Sequence, residues 1–406
     1  MTKEEINKAS YVAPNNASVL EVFYLFLKLG LSAFGGPVAH VAYFRKEFVE
    51  RRAWLADAQF SQLFALCQVL PGPASSQLGF LIGLNRSGLM GAIAAFTAFT
   101  LPSALLLFFF ALAVPMLDGP LAEALIHGLK LSAVAIVSDA LLSMSRGLCP
   151  DKRRKLLALM AAALLLTFNW PFMQLIVLGL GAAYGFAFCK PLTFLSQSYS
   201  MAISRSTALL ALSVFVFLFI LLPVAVMFSG INLLQVAAVF YQSGSLVFGG
   251  GHVVLPLLQQ ATVDSAYIDS SVFMAGYGAT QAMPGPMFSF ASFLGAYMQP
   301  NLPWLGALTA LIFVFLPGFL LVVAVFPFWQ QLIEHQVATK CLAGLNATVV
   351  GILLAALLGP IASSTLFSFY DLGLAATALI FIRGLKLSPL LSVAFCVLAS
   401  VILTFL

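Results

Sequence analysis

Long apolar runs separated by short polar turns fill this chain. A membrane-crossing helix needs about 20 mostly apolar residues. The runs 88–116, 121–144, 207–228, 303–328 and 337–358 meet that length, and 156–168, 171–188, 366–382 and 387–406 read as shorter, tightly joined helices. Other apolar runs are interrupted. The run 18–34 enters Gly35-Gly36-Pro37, and 38–44 is apolar again. The run 58–70 stops at Pro71-Gly72-Pro73, and 74–84 follows. Gly and Pro in these positions predict broken or re-entrant helices, because one frees the backbone and the other removes an N–H.

The interruptions occur twice. Phe34-Gly35-Gly36-Pro37 returns as Phe248-Gly249-Gly250-Gly251, 214 positions later. Gln68-Val69-Leu70-Pro71-Gly72-Pro73 returns as Gln281-Ala282-Met283-Pro284-Gly285-Pro286, 213 positions later. Pro102 matches Pro317, and Gly128-Leu129-Lys130 matches Gly344-Leu345-Asn346. The predicted organisation is a polar tail (1–17), a first membrane repeat (18–189), a Ser-rich linker (190–206) and a second repeat (207–406) with one extra leading span. Two such repeats are the pattern of secondary transporters. The fold class expected is an all-α polytopic membrane protein of two homologous repeats. The basic run Arg45–Arg52 is matched in the second half by 259–269, which has no Lys or Arg and carries Asp264 and Asp269. By the positive-inside rule that reversal predicts an inverted second repeat.

Composition narrows the solvent. The chain is 62% hydrophobic and 8% charged, with a mean hydropathy of +1.04. Soluble domains carry roughly 25% charged residues, so the bilayer is the predicted surroundings. The net charge of +5 lies in short loops and reads as topology, not as a nucleic-acid footprint. Cys67, Cys149, Cys189, Cys341 and Cys396 are dispersed, so no metal or disulfide framework is expected. The N-terminus lacks the apolar core of a cleavable signal. No HExxH, GxSxG or phosphate-binding loop is present, and the chain is not expected to be an enzyme or to need a cofactor.

Candidate chemistry centres on the breaks. A helix that starts after Pro-Gly-Pro offers free N–H groups and a positive dipole end, which together make an anion site from backbone. The candidate substrate contacts are Gly72 and Gly285, the flanking Gln68 and Gln281, and Ser75, Ser76 and Ser289. A plain kink for packing is the competing explanation. Gly35, Gly36, Gly249 and Gly250 are candidates for opening the helix where the halves meet, with close helix packing as the alternative. Lys28 lies within a span, where a cation is expensive. It balances a bound anion, snorkels to an interface, or pairs with Glu21, seven positions earlier on the same helix face. Glu21, Arg45, Glu47, Glu50 and Asp139 are candidates for coupling or gating. The basic run with Trp54 is also a plain interfacial anchor.

Phe34-Gly35-Gly36-Pro37, the stretch from Arg45 to Trp54 with Glu47 and Glu50, and Pro71-Gly72-Pro73, all echoed in a second half, resemble the chromate ion transporter family in its long, two-domain form. The resemblance covers the chain from about Glu21 to its end. It implies a multi-pass carrier of the cell inner membrane that moves chromate outward and confers chromate resistance, with sulfate as the related tetrahedral dianion. Gly251 in place of Pro37, and the missing basic run, imply that the halves are unequal. A coupling proton or counter-anion and a homodimer are further expectations. Two rival functions remain open: carriage of a different anion such as an organic acid, and a channel or scaffold without coupled transport.

Overall fold

The computed structural model describes residues 17–34, 36–116, 119–168, 170, 173–192, 201, 203–248 and 254–405. The tail expected at 1–16 and the glycines Gly35, Gly249, Gly250 and Gly251 lie outside the described residues. The described chain is helical. In the first half come α1 (Val19–Ser32), α2 (Gly36–Arg45), α3 (Asp57–Val69), α4 (Ala74–Ala113), α5 (Pro120–Leu148), α6 (Lys152–Thr167) and α7 (Met173–Phe188). An extra helix, α8 (Arg205–Phe228), follows. The second half holds α9 (Asn232–Leu246), α10 (Val254–Thr262), α11 (Ser270–Ala282), α12 (Phe290–Met298), α13 (Pro303–Val325), α14 (Trp329–Glu334), α15 (Gln336–Ala356), α16 (Phe369–Arg383) and α17 (Pro389–Phe405). Among the described residues, five helical stretches are long and apolar enough to cross a membrane: Ala74–Met116, Pro120–Leu148, Arg205–Phe228, Pro303–Glu334 and Gln336–Ile361.

The first of these is two helices. Ser87 and Gly88 leave helical geometry, Gly88 with φ +60°. Gly83 then lies against Gly91. Residues eight apart in a straight helix would be about 12 Å apart, so the chain turns back on itself here. Gly295 against Gly306 repeats the contact in the second half. Only glycine on both sides lets two helix backbones approach this closely.

Local signals explain the helix starts. Ser18 caps α1 by accepting from the Glu21 N–H, Asp151 caps α6 through the Arg154 N–H, and Ser204 caps α8 through the Thr207 N–H. Ser368 and Asp371 form a reciprocal capping box on α16. Helix α1 buries Val22, Leu25, Phe26 and Leu29, the i, i+3, i+4, i+7 face of one helix. Phe26 stands at the centre of an aromatic cluster with Phe44, Phe48 and Phe99.

Contacts between the halves set the directions of the helices. His127 pairs with Asp371 at 2.7 Å and Asp139 with Arg383 at 2.9 Å. Both pairs join α5 to α16 in rising order, so these helices run parallel. Gly351 lies against Ala158 and Gly359 against Leu166, so α6 and the stretch containing α15 also run parallel. Only 149–151 separate α5 from α6, and Leu141, Met144 and Leu148 pack with Leu157 and Ala158, so α5 and α6 are antiparallel. Helices α5 and α15, which carry the matched Gly-Leu-Lys and Gly-Leu-Asn, therefore run in opposite directions. Further cross-half contacts are Gly181 with Thr348, Gly185 with Gly344, and Gly128 with Val397. Each half thus packs its last helices on the other half.

Candidate functional site

Each Pro-Gly-Pro loop is bonded to the other half. The Gly72 N–H donates to the Val247 carbonyl at 2.7 Å, and the Gly285 N–H donates to the Ala33 carbonyl at 3.0 Å. Val247 and Ala33 immediately precede the two Phe-Gly-Gly breaks. One reciprocal exchange therefore joins all four motifs. Gly72 has φ +122° and Gly285 φ +98°, values that favour glycine. A Cβ on Gly72 would come within 2.9 Å of the Gly318 Cα.

The kinks Pro102 and Pro317 complete the arrangement. The Gln77 amide donates to the Pro71 carbonyl at 2.8 Å and to the Gly318 carbonyl at 3.0 Å. In the second half Ser289 meets Ser103 at 2.7 Å, and Ser292 donates to the Ala104 carbonyl at 2.9 Å. Each loop rests on the proline kink of the opposite half. Phe80 stacked on Phe319, at 4.5 Å between centroids, closes the apolar side.

The two copies differ in what they leave free. Helix α4 begins as a regular helix, with its first turn closed by Gln77 N–H on the Pro73 carbonyl. The amides of Ala74, Ser75 and Ser76 precede that bond. The Ser76 hydroxyl is 2% exposed and has no partner, and the same is true of Thr100 at 1%. The Gln281 side-chain nitrogen, from the second copy, is also buried without a partner. Between these elements sits His40, fully buried, with ring nitrogens 3.4 Å from the Ser75 hydroxyl and 3.2 Å from the Ala33 carbonyl. Its ring packs edge-on against Phe99. The second copy starts with a 3₁₀ turn, Met287–Ser289, and its serine is engaged by Ser103.

The remaining sequence candidates are spread more widely. Gly72, Ser75, Ser76, Gly285 and Ser289 are brought together and buried, while Gln68 is exposed and Gln281 half-buried. The amides of Gly72 and Gly285 are themselves taken by the interhalf bonds. Gly36, with φ +73°, opens α2. Lys28 is exposed on α1. Glu21 pairs with Arg52 at 2.9 Å, and Glu47 bridges Arg51 and Arg52 at 3.1 and 2.8 Å. Arg45 pairs with Asp57, Asp139 with Arg383, and Glu50 is exposed. Partial burial pushes the Glu47 carboxyl up, and the Arg52 and Arg51 partners outweigh it, so Glu47 sits below its ordinary range. The sequence marks Gln77, after the first Pro-Gly-Pro, as a hydrogen-bond donor to oxygen, but it gives no sign of His40 as a link between Ala33 and Ser75, nor of Thr100, Ser103 and Arg86. Arg86 is buried and lies 4.9 Å over the Trp54 ring. Pro102 and Pro317 were visible as a matched pair, and their neighbours could have been found from them. Among the described residues no cluster of His, Cys, Asp or Glu suits a metal.

Apolar spans, an internal repeat and polar loops bonded between the halves define a polytopic membrane protein of the transporter class. The chain belongs to the chromate transporter family, whose model matches it twice, over residues 20–186 and 234–401. An uncharacterized transporter of Methanocaldococcus jannaschii is 27% identical over 344 residues, covering 84% of each chain. The chromate transport protein of Pseudomonas aeruginosa is 26% identical, covering 84% of this chain and 80% of its own. A probable chromate transport protein of Synechococcus elongatus is 28% identical, covering 82% of each. No solved structure matches the chain.

Proposed function

We propose that this protein carries tetrahedral oxyanions across the cell membrane, chromate in the first place and sulfate as the like dianion. Family membership and the relatives named as chromate transport proteins support the substrate. The observation that carries the site is the reciprocal bonding of the two Pro-Gly-Pro loops, which puts buried donors where the halves meet. The oxyanion is received by the amides that open α4, with the Ser76 and Thr100 hydroxyls and the Gln281 amide as further donors. Uncharged donors suit a dianion that must be released again. Lys28 adds positive potential from the outer side of the same loop region.

The two family matches, over 20–186 and 234–401, support a division into two repeats, read here as 18–189 and 207–406, and the opposite directions of α5 and α15 support an inverted pair. The chain order is consistent with it. Ser87 donates to the Ala17 carbonyl at 2.6 Å, so α3 and the first part of α4 return to the face where α1 begins. This return supports reading α3 and the first part of α4 as a re-entrant hairpin. The single extra helix α8 then starts the second half from the opposite face. Hairpins entering from the two faces meet at their tips, and alternating access follows from movement of the hairpin pairs against the surrounding helices. A coupling proton or counter-anion balances the charge moved.

Purified protein in liposomes loaded with sulfate is the test. Saturable exchange of external chromate or sulfate is expected. Folded protein that moves neither anion contradicts the substrate.

A further inference from the structure

A crevice of about 470 Å3 opens far from the Pro-Gly-Pro loops, at the end of the molecule where α5 and α11 begin and α17 ends. Its polar lining is Glu123, His127 and Lys130 from α5, Ser271 from α11, and Ser400 and Thr404 from α17. Both halves build it. Lys130 lies ten residues into a membrane-spanning helix, about 15 Å from its start. A lysine at such depth faces a partner or a water-filled cavity. Among the described residues no carboxylate lies within ion-pair distance of it. Glu123, seven positions earlier, is exposed and unpaired with it, and Asp371 is already held by His127 at 2.7 Å. The ammonium is thus left to the crevice, with three hydroxyls around the same space.

The position gives the crevice a destination. Helix α11 starts at its edge with Ser270 and ends at Ala282, two residues before Pro284-Gly285-Pro286. Thirteen helical residues span about 20 Å. Midway, Gly278 lies against the Leu129 backbone, so α11 runs inward alongside α5. The matching residue of Lys130 in the other half is Asn346, and the face on which the crevice opens is the one whose loop 263–269 carries only acids. Among the described residues that line the crevice, Lys130 is the one Lys or Arg.

We propose that this crevice is an oxyanion vestibule, in which Lys130 with Ser271, Ser400 and Thr404 holds a tetrahedral oxyanion on its way between the water and the paired loops. It rests on the transport function proposed above. The phosphate of an acidic lipid headgroup has the same chemistry, and the choice of liposome separates the two.

Sulfate exchange is measured against sulfate concentration in liposomes of phosphatidylcholine alone, and again with phosphatidylglycerol added. Lys130→Met is expected to raise the half-saturating concentration on the crevice side roughly tenfold in both, the cost of one charge-assisted hydrogen bond. Lys130→Arg keeps it near the unsubstituted value. Glu123→Gln, an exposed change with little bearing on folding, is expected to lower it about twofold by removing a like charge. An unchanged half-saturation in Lys130→Met, or in Glu123→Gln should Lys130→Met not fold, overturns the vestibule. So does an effect seen only with phosphatidylglycerol, which assigns the crevice to lipid. Absence of exchange in the unsubstituted protein counts against the transport function itself and is read separately.

Discussion

Residues 46–56 and 259–269 occupy matching places in the two halves and differ in nearly every charge. In the first, Arg52 holds Glu21 and Glu47, Arg51 holds Glu47, and Arg86 lies over Trp54. In the second, Tyr267 stands at the place of Trp54, and it is bonded to Gln235, the counterpart of Glu21. The aromatic anchor and the contact to the first helix are kept. The ionic network is not. Holding the loop to the first helix needs no ionic network, since the Gln235 amide and the Tyr267 phenol do the same job. The basic version suits the side that retains Lys and Arg, and the version with Asp264 and Asp269 suits the other. The difference therefore separates what the hairpin needs for folding from what each membrane face demands.

The largest effect is expected at the loop glycines. Gly72→Ala would strain a backbone at φ +122°, at about 1–2 kcal/mol, and press a methyl on the Gly318 backbone, at about 1–3 kcal/mol more. Loss of exchange and a clearly lower Tm in detergent are expected. Gly285→Ala meets the Ser103 hydroxyl at 2.7 Å, a group that can rotate, and should be milder. Equal losses in the two variants would contradict the asymmetry of the loops.

A smaller contrast is expected between the serines. Ser76→Ala removes a buried hydroxyl with no protein partner, so the fold should be untouched while anion affinity falls about tenfold. Ser289→Ala breaks the bond to Ser103, so about 1 kcal/mol of stability should go and affinity should change little. Sulfate titration followed by thermal melts distinguishes the two patterns, and the reverse pattern would move the site to the second copy.

The smallest effect is in pH. The Glu47 carboxyl is held below its ordinary value, so its contribution is present above the usual glutamate range, near pH 4.3, and is lost as the pH falls through the lowered folded value. Thermal melts of the unsubstituted protein and Glu47→Gln should differ at pH 7 and converge as the pH falls below the ordinary glutamate range. The second half has Gln260 in that place and should show no such component.

The repeat was legible because Pro-Gly-Pro and Phe-Gly-Gly make demands on the backbone that few other residues meet, and such demands survive as identical letters. What the loops bond to was not. The partners of Gly72 and Gly285 are main-chain carbonyls, and a carbonyl leaves no mark in sequence. Ion pairs were legible only when local. Glu21 and Lys28 share a helix face, yet Glu21 is taken by Arg52, 31 positions away, because a guanidinium folded back over the helix start comes closer. Asp139 and His127 find partners 244 positions away, across the halves. Nothing in the sequence marks Lys130 as bordering a crevice; the fold does.

Alternating access between the two halves requires the loops 46–56 and 259–269 to lie on opposite faces of the membrane. The direct measurement is labelling of Glu50→Cys and Ser265→Cys, one in each loop, with a membrane-impermeant maleimide in sealed vesicles of known orientation. Both positions are exposed, and of the native cysteines four are buried and Cys341 is half-buried. The account predicts labelling of the two positions from opposite sides. Labelling of both from the same side would contradict it.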